Sequence, residues 1–272
     1  MNQYVHGYSP QEARRLTDQA TTLASLLYGD LYYPEGTSVL EAGCGTGGQT
    51  IHLATANPQA VFVSMDRSAS SLELARQAIA SRGLDNVRLQ QGDIYAPPFA
   101  KRMFDHIFVC FVLEHLADPV AALLALRCLL KPGGTITVIE GDHGSFYCHP
   151  ETAAARRTVE CLVQLQAALG GDSLIGRRLY PLLIQAGFAQ PQVEPRMVYV
   201  DSSRPDLIEG FSRNTFIAMI RGVREEALAS GLIDAATWDA GIHDLERATA
   251  SDATFCYTFF RATAIGEASN RD

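Results

Sequence analysis

Alternating strand and helix patterns run through the first half of this chain, and they limit its fold more than any other feature. Short apolar runs predict five strands, and the segments between most of them have helical spacing. The predicted strands are Thr37–Ala42, Val61–Met65, Val87–Gln91, Phe104–Val112 and Thr135–Glu140, and the predicted helices among them are Gln49–Thr55, Ser68–Ser81 and Pro119–Leu130. Strands joined by helical crossovers are parallel, so we predict an open, doubly wound α/β sheet.

Helical patterns dominate after residue 142. The predicted helices are Pro150–Leu169, Ser173–Ala186, Pro205–Ser230 and Asp234–Ala248, with strands near Val193–Val200 and at Phe255–Ala264. An amphipathic helix also begins at Ser9-Pro10. We therefore predict a single domain, residues 1–272, with a helical cap from about residues 1–30, 143–180 and 201–250. The N-terminal helix is expected to pack on its own domain or on a second copy, which leaves a homo-oligomer open.

The composition excludes several classes of partner. The chain has 272 residues, 47% of them apolar, and a net charge of −8, which disfavours nucleic acid because phosphate binding needs a surplus of Lys and Arg. The six cysteines form no CxxC pair, so no metal site is predicted. Neither a signal peptide nor an apolar stretch long enough for membrane insertion is visible. We expect a soluble, cytoplasmic protein that acts on a small molecule.

A glycine-rich turn, EAGCGTGG at residues 41–48, follows the first predicted strand. In an open α/β sheet ligands bind beyond the carboxyl ends of the strands, and glycines let the backbone approach a ligand closely. Dinucleotide dehydrogenases also have such a turn. Glu41, however, would repel a pyrophosphate and is suited to face a cationic ligand.

Acidic residues also stand at the ends of the next two strands. Asp66 is placed to accept both hydroxyls of a ribose, and Asp93 is placed to accept an adenine amino group, with Ile94 packing on the ring. Each has a simpler interpretation on its own, since Asp66 could cap the next helix and Asp93 could serve a turn. Their placement at successive strand ends favours a nucleoside cofactor.

Five motifs over roughly residues 35–142 together resemble one family. In order they read LEAGCGTGGQT, SMD, QGDIYAPPF, FDHIFVCFVLEHL and LKPGGTITVIEGDHG. They resemble the class I S-adenosylmethionine-dependent methyltransferases, in particular the small-molecule branch that includes the ubiquinone and menaquinone C-methyltransferases. The resemblance implies a seven-stranded sheet with its last strand antiparallel, an N-terminal helical lid, and S-adenosylmethionine as the cofactor.

The resemblance also implies which residues hold the cofactor. Residues of the first motif would line the methionine part, those of the second and third the ribose and adenine, and those after the fourth strand the methionyl group, while a tyrosine near the N-terminus would close over the site. The implied residues are Glu41, Gly43, Gly45, Gln49, Asp66, Arg67, Asp93, Ile94, Cys110, Phe111, His115 and Tyr8, with Tyr4 as an alternative to Tyr8 and Arg14 as a carboxylate partner.

Catalysis is expected across the pocket, after the fifth strand. A sulfonium donor is already activated, so the protein mainly supplies proximity, alignment and removal of a proton. Residues 140–144 are predicted to form a loop in which His143 acts as the base and Asp142 orients it. His115 and His149 are the second choices for the base. Neither a metal ion nor a covalent nucleophile is required.

Aromatic residues are frequent in the predicted cap and the last strand, and they predict an apolar acceptor site. They are Tyr147, Tyr180, Tyr199, Phe211, Phe216, Trp238, Phe255, Tyr257, Phe259 and Phe260. The predicted function is O- or N-methylation of a small aromatic or apolar metabolite by in-line displacement. Two alternatives stay open: C-methylation of a prenyl or quinone-like substrate, with a carbocation steadied by aromatic faces, and a protein that binds the cofactor without catalysis. A nicotinamide dehydrogenase is disfavoured because it gives Glu41 and Asp93 no task.

Overall fold

The computed structural model describes the backbone of residues 10–266 and the side chains from residue 18 onward. Its centre is a seven-stranded sheet in the order β3-β2-β1-β4-β5-β7-β6. The strands are β1 Ser38–Ala42, β2 Val61–Asp66, β3 Val87–Gln91, β4 Phe104–Cys110, β5 Leu130–His149, β6 Ala189–Val200 and β7 Thr254–Ile265. β1 to β5 are parallel, and β7 is antiparallel to both of its neighbours. The predicted doubly wound sheet with an antiparallel last strand is confirmed.

Helices cover both faces of this sheet. They are α1 Pro10–Leu27, α2 Gly48–Ala56, α3 Ala69–Ser81, α4 Pro119–Arg127, α5 Ala153–Ala168, α6 Leu179–Gln185, α7 Pro205–Leu207, a π-helical segment Ile208–Ile217, α8 Ala218–Arg221, α9 Arg224–Ala229 and α10 Ala235–Arg247, with 3₁₀ turns at Leu113–His115 and Ile175–Arg178. The single helix predicted over Pro205–Ser230 is thus divided. The backbone stays helical from Pro205 to Arg221, with the π-helical segment between two α-helical ones. The division falls at the turn of Gly222 and Val223, before α9.

β5 is the clearest departure from the prediction. It was expected to end at Glu140, but it continues to His149 because it pairs with β7 along its length, with a bulge between Asp142 and Tyr147. The prediction of a loop at residues 140–144 is therefore wrong, and the predicted cap segment 143–180 begins with sheet residues. The local sequence around Gly141 and Gly144 is compatible with a turn, but hydrogen bonds to a strand more than a hundred residues away decide the local structure.

Two apolar clusters lie on opposite faces of the sheet. One is covered by α1, α2, α5, the π-helical segment and α8 to α10, and the other by α4 and α6. The second half of α1 packs on its own domain: Leu23 and Leu27 are buried, and Thr22 touches Gly210 of the π-helical segment. Association with a second copy through this helix stays a prediction. Among residues 10–266, no helix has the length and apolarity that crossing a bilayer requires.

Candidate functional site

The glycine-rich turn joins β1 to α2 in a conformation that requires glycine. Gly43, Gly45 and Gly47 have φ values of +84°, +52° and +84°, in the left-handed region that other residues rarely adopt. A Cβ at Gly43 would lie 2.5 Å from Cγ2 of Val112, so the turn packs directly on the segment after β4. Apart from Gly45 and its two neighbours in the chain, no atom of the described residues lies within 4 Å of the Cβ position at Gly45. The turn is therefore closed at Gly43 and leaves room for a ligand beside Gly45.

Asp66 fixes this turn from the end of β2. One carboxylate oxygen accepts the N–H of Gly45 and the other accepts the N–H of Ser68, both at 2.8 Å. Ser68, rather than Asp66, caps α3 through its own hydroxyl. Each carboxylate oxygen has two lone pairs, so Asp66 keeps the capacity to accept ribose hydroxyls while it holds the turn.

Glu41 lies beneath the turn. Its side chain is buried, and one oxygen accepts hydrogen bonds from the hydroxyls of Thr50 and Ser64. Burial raises the pKa of this carboxyl to about 7, against the lowering effect of the two hydroxyls. Both protonation states are therefore populated near neutral pH, and a cation bound close by would favour the ionised one.

The third acid stands just beyond β3. Asp93 is exposed and accepts the N–H of Tyr95 at 3.0 Å, while Ile94 is half-buried. Arg67, after β2, is exposed. Glu41, Asp66 and Asp93 thus line one edge of the sheet in strand order, as a nucleoside cofactor with a charged tail requires. Their roles as cofactor ligands stay predictions.

The turn after β4 forms the other wall. Phe111 has φ +57°, which costs a non-glycine residue about 1–3 kcal/mol and persists only where the surroundings enforce it. Its N–H donates to the Ile139 carbonyl at 2.9 Å. The next two amides, of Val112 and Leu113, both donate to Oε1 of Glu140. Sequence reasoning gave Glu140 no role, because nothing local links it to a turn 27 residues earlier.

Cys110 and His115 flank this turn. Burial, followed by the neighbouring Glu140 and Glu41, raises the pKa of the Cys110 thiol, and the side chain of Gln49 hydrogen-bonds to it. A neutral thiol is a wall residue rather than a nucleophile. The His115 ring lies 3.3 Å from the amide nitrogen of Gln166, a residue of α5 that the sequence did not single out.

His143 is buried on β5, where its Nδ1 lies 2.6 Å from the hydroxyl oxygen of Tyr257 on β7. Asp142 is engaged elsewhere: Arg177 donates to its two oxygens at 2.6 and 2.8 Å, and Gly144 donates its N–H at 3.0 Å. Successive side chains of a strand point to opposite faces. Tyr257 therefore contacts this ring nitrogen, and the orienting role predicted for Asp142 stays a prediction.

Aromatic rings connect the turn after β4 to His143. Ring centroids are 5.4 Å apart from Phe111 to Phe259, 4.7 Å from Phe259 to Tyr257 and 5.6 Å from Tyr257 to His143. The cluster continues through the rings of Phe211, Phe216, Phe146 and Phe255. Tyr147, Tyr180 and Tyr199 do not belong to it, because their side chains are exposed. Phe260 packs against the apolar cluster on the other face of the sheet, and Trp238 is buried on α10.

Some predicted residues lie elsewhere. His149 is exposed at the end of β5. Tyr4 and Tyr8 lie outside the described residues, and Arg14 belongs to α1 but its side chain is outside the described part. The lid prediction is therefore untested.

A model of the family described as "methyltransferase domain" matches residues 34–187, which is more than half of the chain. An uncharacterized 37.1 kDa protein in transposon TN4556 of Streptomyces fradiae is 32% identical over 209 residues, covering 76% of this chain and 59% of that protein. A demethylmenaquinone methyltransferase of Staphylococcus aureus is 35% identical over 112 residues, covering 41% of this chain and 46% of the enzyme. The chain thus matches about half the length of these relatives.

Among solved structures, the [4+2]-cyclase SpnF superposes with a TM-score of 0.56 at 21% sequence identity, covering 98% of this chain and 86% of that chain. At this identity the likeness concerns the fold. One fold supports different reactions, so the reaction has to be argued from the site.

Proposed function

Since the chain belongs to the methyltransferase domain family, we propose that the protein methylates a small aromatic or apolar metabolite at oxygen or nitrogen. Membership agrees with the predicted enzyme class and with S-adenosylmethionine as the cofactor. The open space beside Gly45 and the acids at successive strand ends fit that cofactor. When bound, it supplies an electrophilic methyl group on a sulfonium.

One observation carries the proposed class of methyl acceptor. A row of aromatic rings leads from Phe111, in the turn after β4, to His143. Phe111 is half-buried, whereas Phe259, Tyr257 and His143 are buried. An acceptor ring would therefore meet the row first at Phe111 and would reach its inner end only if the packing around it opens. Its far end carries a titratable nitrogen that is suited to removing a proton from a hydroxyl or amine.

The Tyr257 contact defines how His143 would act. Burial, with Glu114 and Asp142 adding to it, raises the pKa of Tyr257, so its hydroxyl stays protonated and its oxygen remains able to accept a hydrogen bond. If Nδ1–H donates to that oxygen, the other ring nitrogen, Nε2, is the basic one. Tyr257 would then fix the tautomer that a base requires.

The test begins with the acceptor. Purified enzyme and a labelled methyl donor are incubated with metabolite extracts, and labelled products are identified by mass spectrometry and NMR. His143→Ala should then reduce kcat about 10²–10⁴-fold with little change in affinity for S-adenosylhomocysteine. Asp142→Ala is the matched comparison, and turnover left intact by His143→Ala would contradict the assignment.

C-methylation is the second candidate. The rings of Phe211, Phe216 and Phe255 pack around the Tyr257 end of the row, and aromatic faces stabilise a cation. A product methylated at carbon, together with full activity of His143→Ala, would favour it. Binding of the cofactor without labelling of any acceptor would favour a non-catalytic role.

A further inference from the structure

The buried carboxyl of Glu140 has no part in the function proposed above. The residue is fully buried, at the point where β5 passes the turn after β4. Its Oε1 accepts the N–H groups of Val112 at 3.0 Å and Leu113 at 2.7 Å, whereas Oε2 has no hydrogen-bond partner among the described residues. One oxygen thus accepts hydrogen bonds from two consecutive backbone amides of the turn after β4.

We propose that Glu140 is a positioning residue that holds the turn after β4 in the shape needed for cofactor binding. The proposal rests on the S-adenosylmethionine site described above. It concerns the protein's own turn and does not require Glu140 to touch the cofactor.

The first step is the conformation of the turn. Phe111 is left-handed, and such a backbone persists only where neighbouring contacts enforce it. The amides of three consecutive residues, 111 to 113, are all bonded to β5: the first to the Ile139 carbonyl and the next two to Glu140. Without the Glu140 acceptor, two buried or half-buried amides lose their partner and the turn is free to relax.

The second step links the turn to the glycine-rich segment. Cγ2 of Val112 lies 2.5 Å from the position that a Cβ on Gly43 would occupy. The side chain of Val112 therefore rests directly on the cofactor turn. A displacement of Val112 would alter both walls of the methionine site together.

The third step concerns the Glu140 carboxyl as a hydrogen-bond acceptor. Burial raises the pKa of Glu140, with Glu114 contributing in the same direction. A neutral carboxyl still offers one oxygen as an acceptor, and a glutamine amide does the same at the same place. Glutamine is therefore expected to replace Glu140, whereas a leucine of similar size is not.

The experiment compares E140Q with E140L in two assays. Calorimetry with S-adenosylhomocysteine should show affinity within about threefold of wild type for E140Q and at least tenfold weaker for E140L. Hydrogen exchange of the cofactor-free protein should show faster exchange at residues 112 and 113 in E140L than in E140Q. If E140L does not fold, E140D replaces it, because it withdraws the acceptor by one methylene.

The matched control lies at the amino ends of the parallel strands, opposite the site. Asp105 on β4 accepts the N–H of Ser38 on β1 at 2.9 Å, so D105L also removes a carboxyl acceptor from a backbone amide. It should lower stability without changing cofactor affinity.

Equal affinities for E140L and wild type, or equal losses for E140Q and E140L, would overturn the proposal. If wild-type protein does not bind S-adenosylhomocysteine, the cofactor assignment fails. The exchange data still decide on Glu140 in that case, since unchanged exchange at residues 112 and 113 in E140L overturns its role.

Discussion

The cofactor half and the acceptor half of the site lie at the same edge of the sheet but are held in different ways. At the ends of β2 and β3 the acids are fixed by nearby amides, as where Asp66 accepts the N–H of Ser68 and Asp93 that of Tyr95. On the acceptor side, His143 meets Tyr257, 114 residues further along the chain. These contacts of the first half lie within two residues of each acid, although Asp66 also holds Gly45, while the second half depends on how β5 and β7 pair.

The sharpest way to break the cofactor half is Gly43→Val. The new side chain would have to adopt φ +84° and would meet Val112 at 2.5 Å. We expect affinity for S-adenosylhomocysteine, measured by calorimetry, to fall at least 100-fold, or about 3 kcal/mol. Gly36→Val is the control: it has φ +75°, but apart from its own chain neighbours no described atom lies within 4 Å of its Cβ position, so affinity should not change. Normal binding by Gly43→Val would show that the turn adapts.

The raised pKa of Glu41, buried beneath the glycine-rich turn, leads us to predict that stability depends on pH. The pKa of Glu41 is raised from 4.5 to about 7, so the folded state holds the proton more firmly than the unfolded state does. Its contribution to stability is complete below about pH 4.5 and is lost as pH rises to about 7, a change of about 3 kcal/mol. Glu41→Gln should remove this loss. In urea unfolding, the free energy of unfolding of the variant should therefore rise relative to that of wild type as pH rises.

A second variant sharpens this test. Thr50→Val removes a hydrogen bond that lowers the pKa of Glu41, and should shift the transition to higher pH. A constant difference between wild type and Glu41→Gln from pH 5 to 8 would contradict the argument.

Removal of one oxygen tests the acceptor half. Tyr257→Phe deletes the hydroxyl that contacts Nδ1 of His143, so we expect kcat to fall about 10–100-fold, or 1.4–2.7 kcal/mol, with cofactor affinity unchanged. Tyr33→Phe is the control, because the buried Tyr33 hydroxyl has no hydrogen-bond partner among the described residues. Steady-state kinetics on the identified acceptor would decide, and equal activity of both variants would rule out a catalytic role for the His143–Tyr257 contact.

The same contrast explains what the sequence could predict. The sheet, the strand ends and the acids at residues 41, 66 and 93 follow from local patterns, because parallel strands bring their carboxyl ends together. The extension of β5, the partner of His143 and the role of Glu140 do not, because each depends on contacts with distant segments. The loop predicted around His143 is instead part of β5, because this segment pairs with β7.

The smallest expected effect concerns Asp142, which the sequence assigned to catalysis and the structure pairs with Arg177. Arg177→Lys keeps the charge but loses the bidentate hydrogen bonds to the two oxygens of the Asp142 carboxylate. Since Arg177 is half-exposed, we expect the free energy of unfolding to fall by only about 1 kcal/mol. Turnover should stay within about twofold of wild type, because Tyr257 contacts Nδ1 of His143. A loss of kcat comparable to that of Tyr257→Phe would instead join the Arg177–Asp142 pair to the catalytic group, and the acceptor half would then extend to both faces of β5.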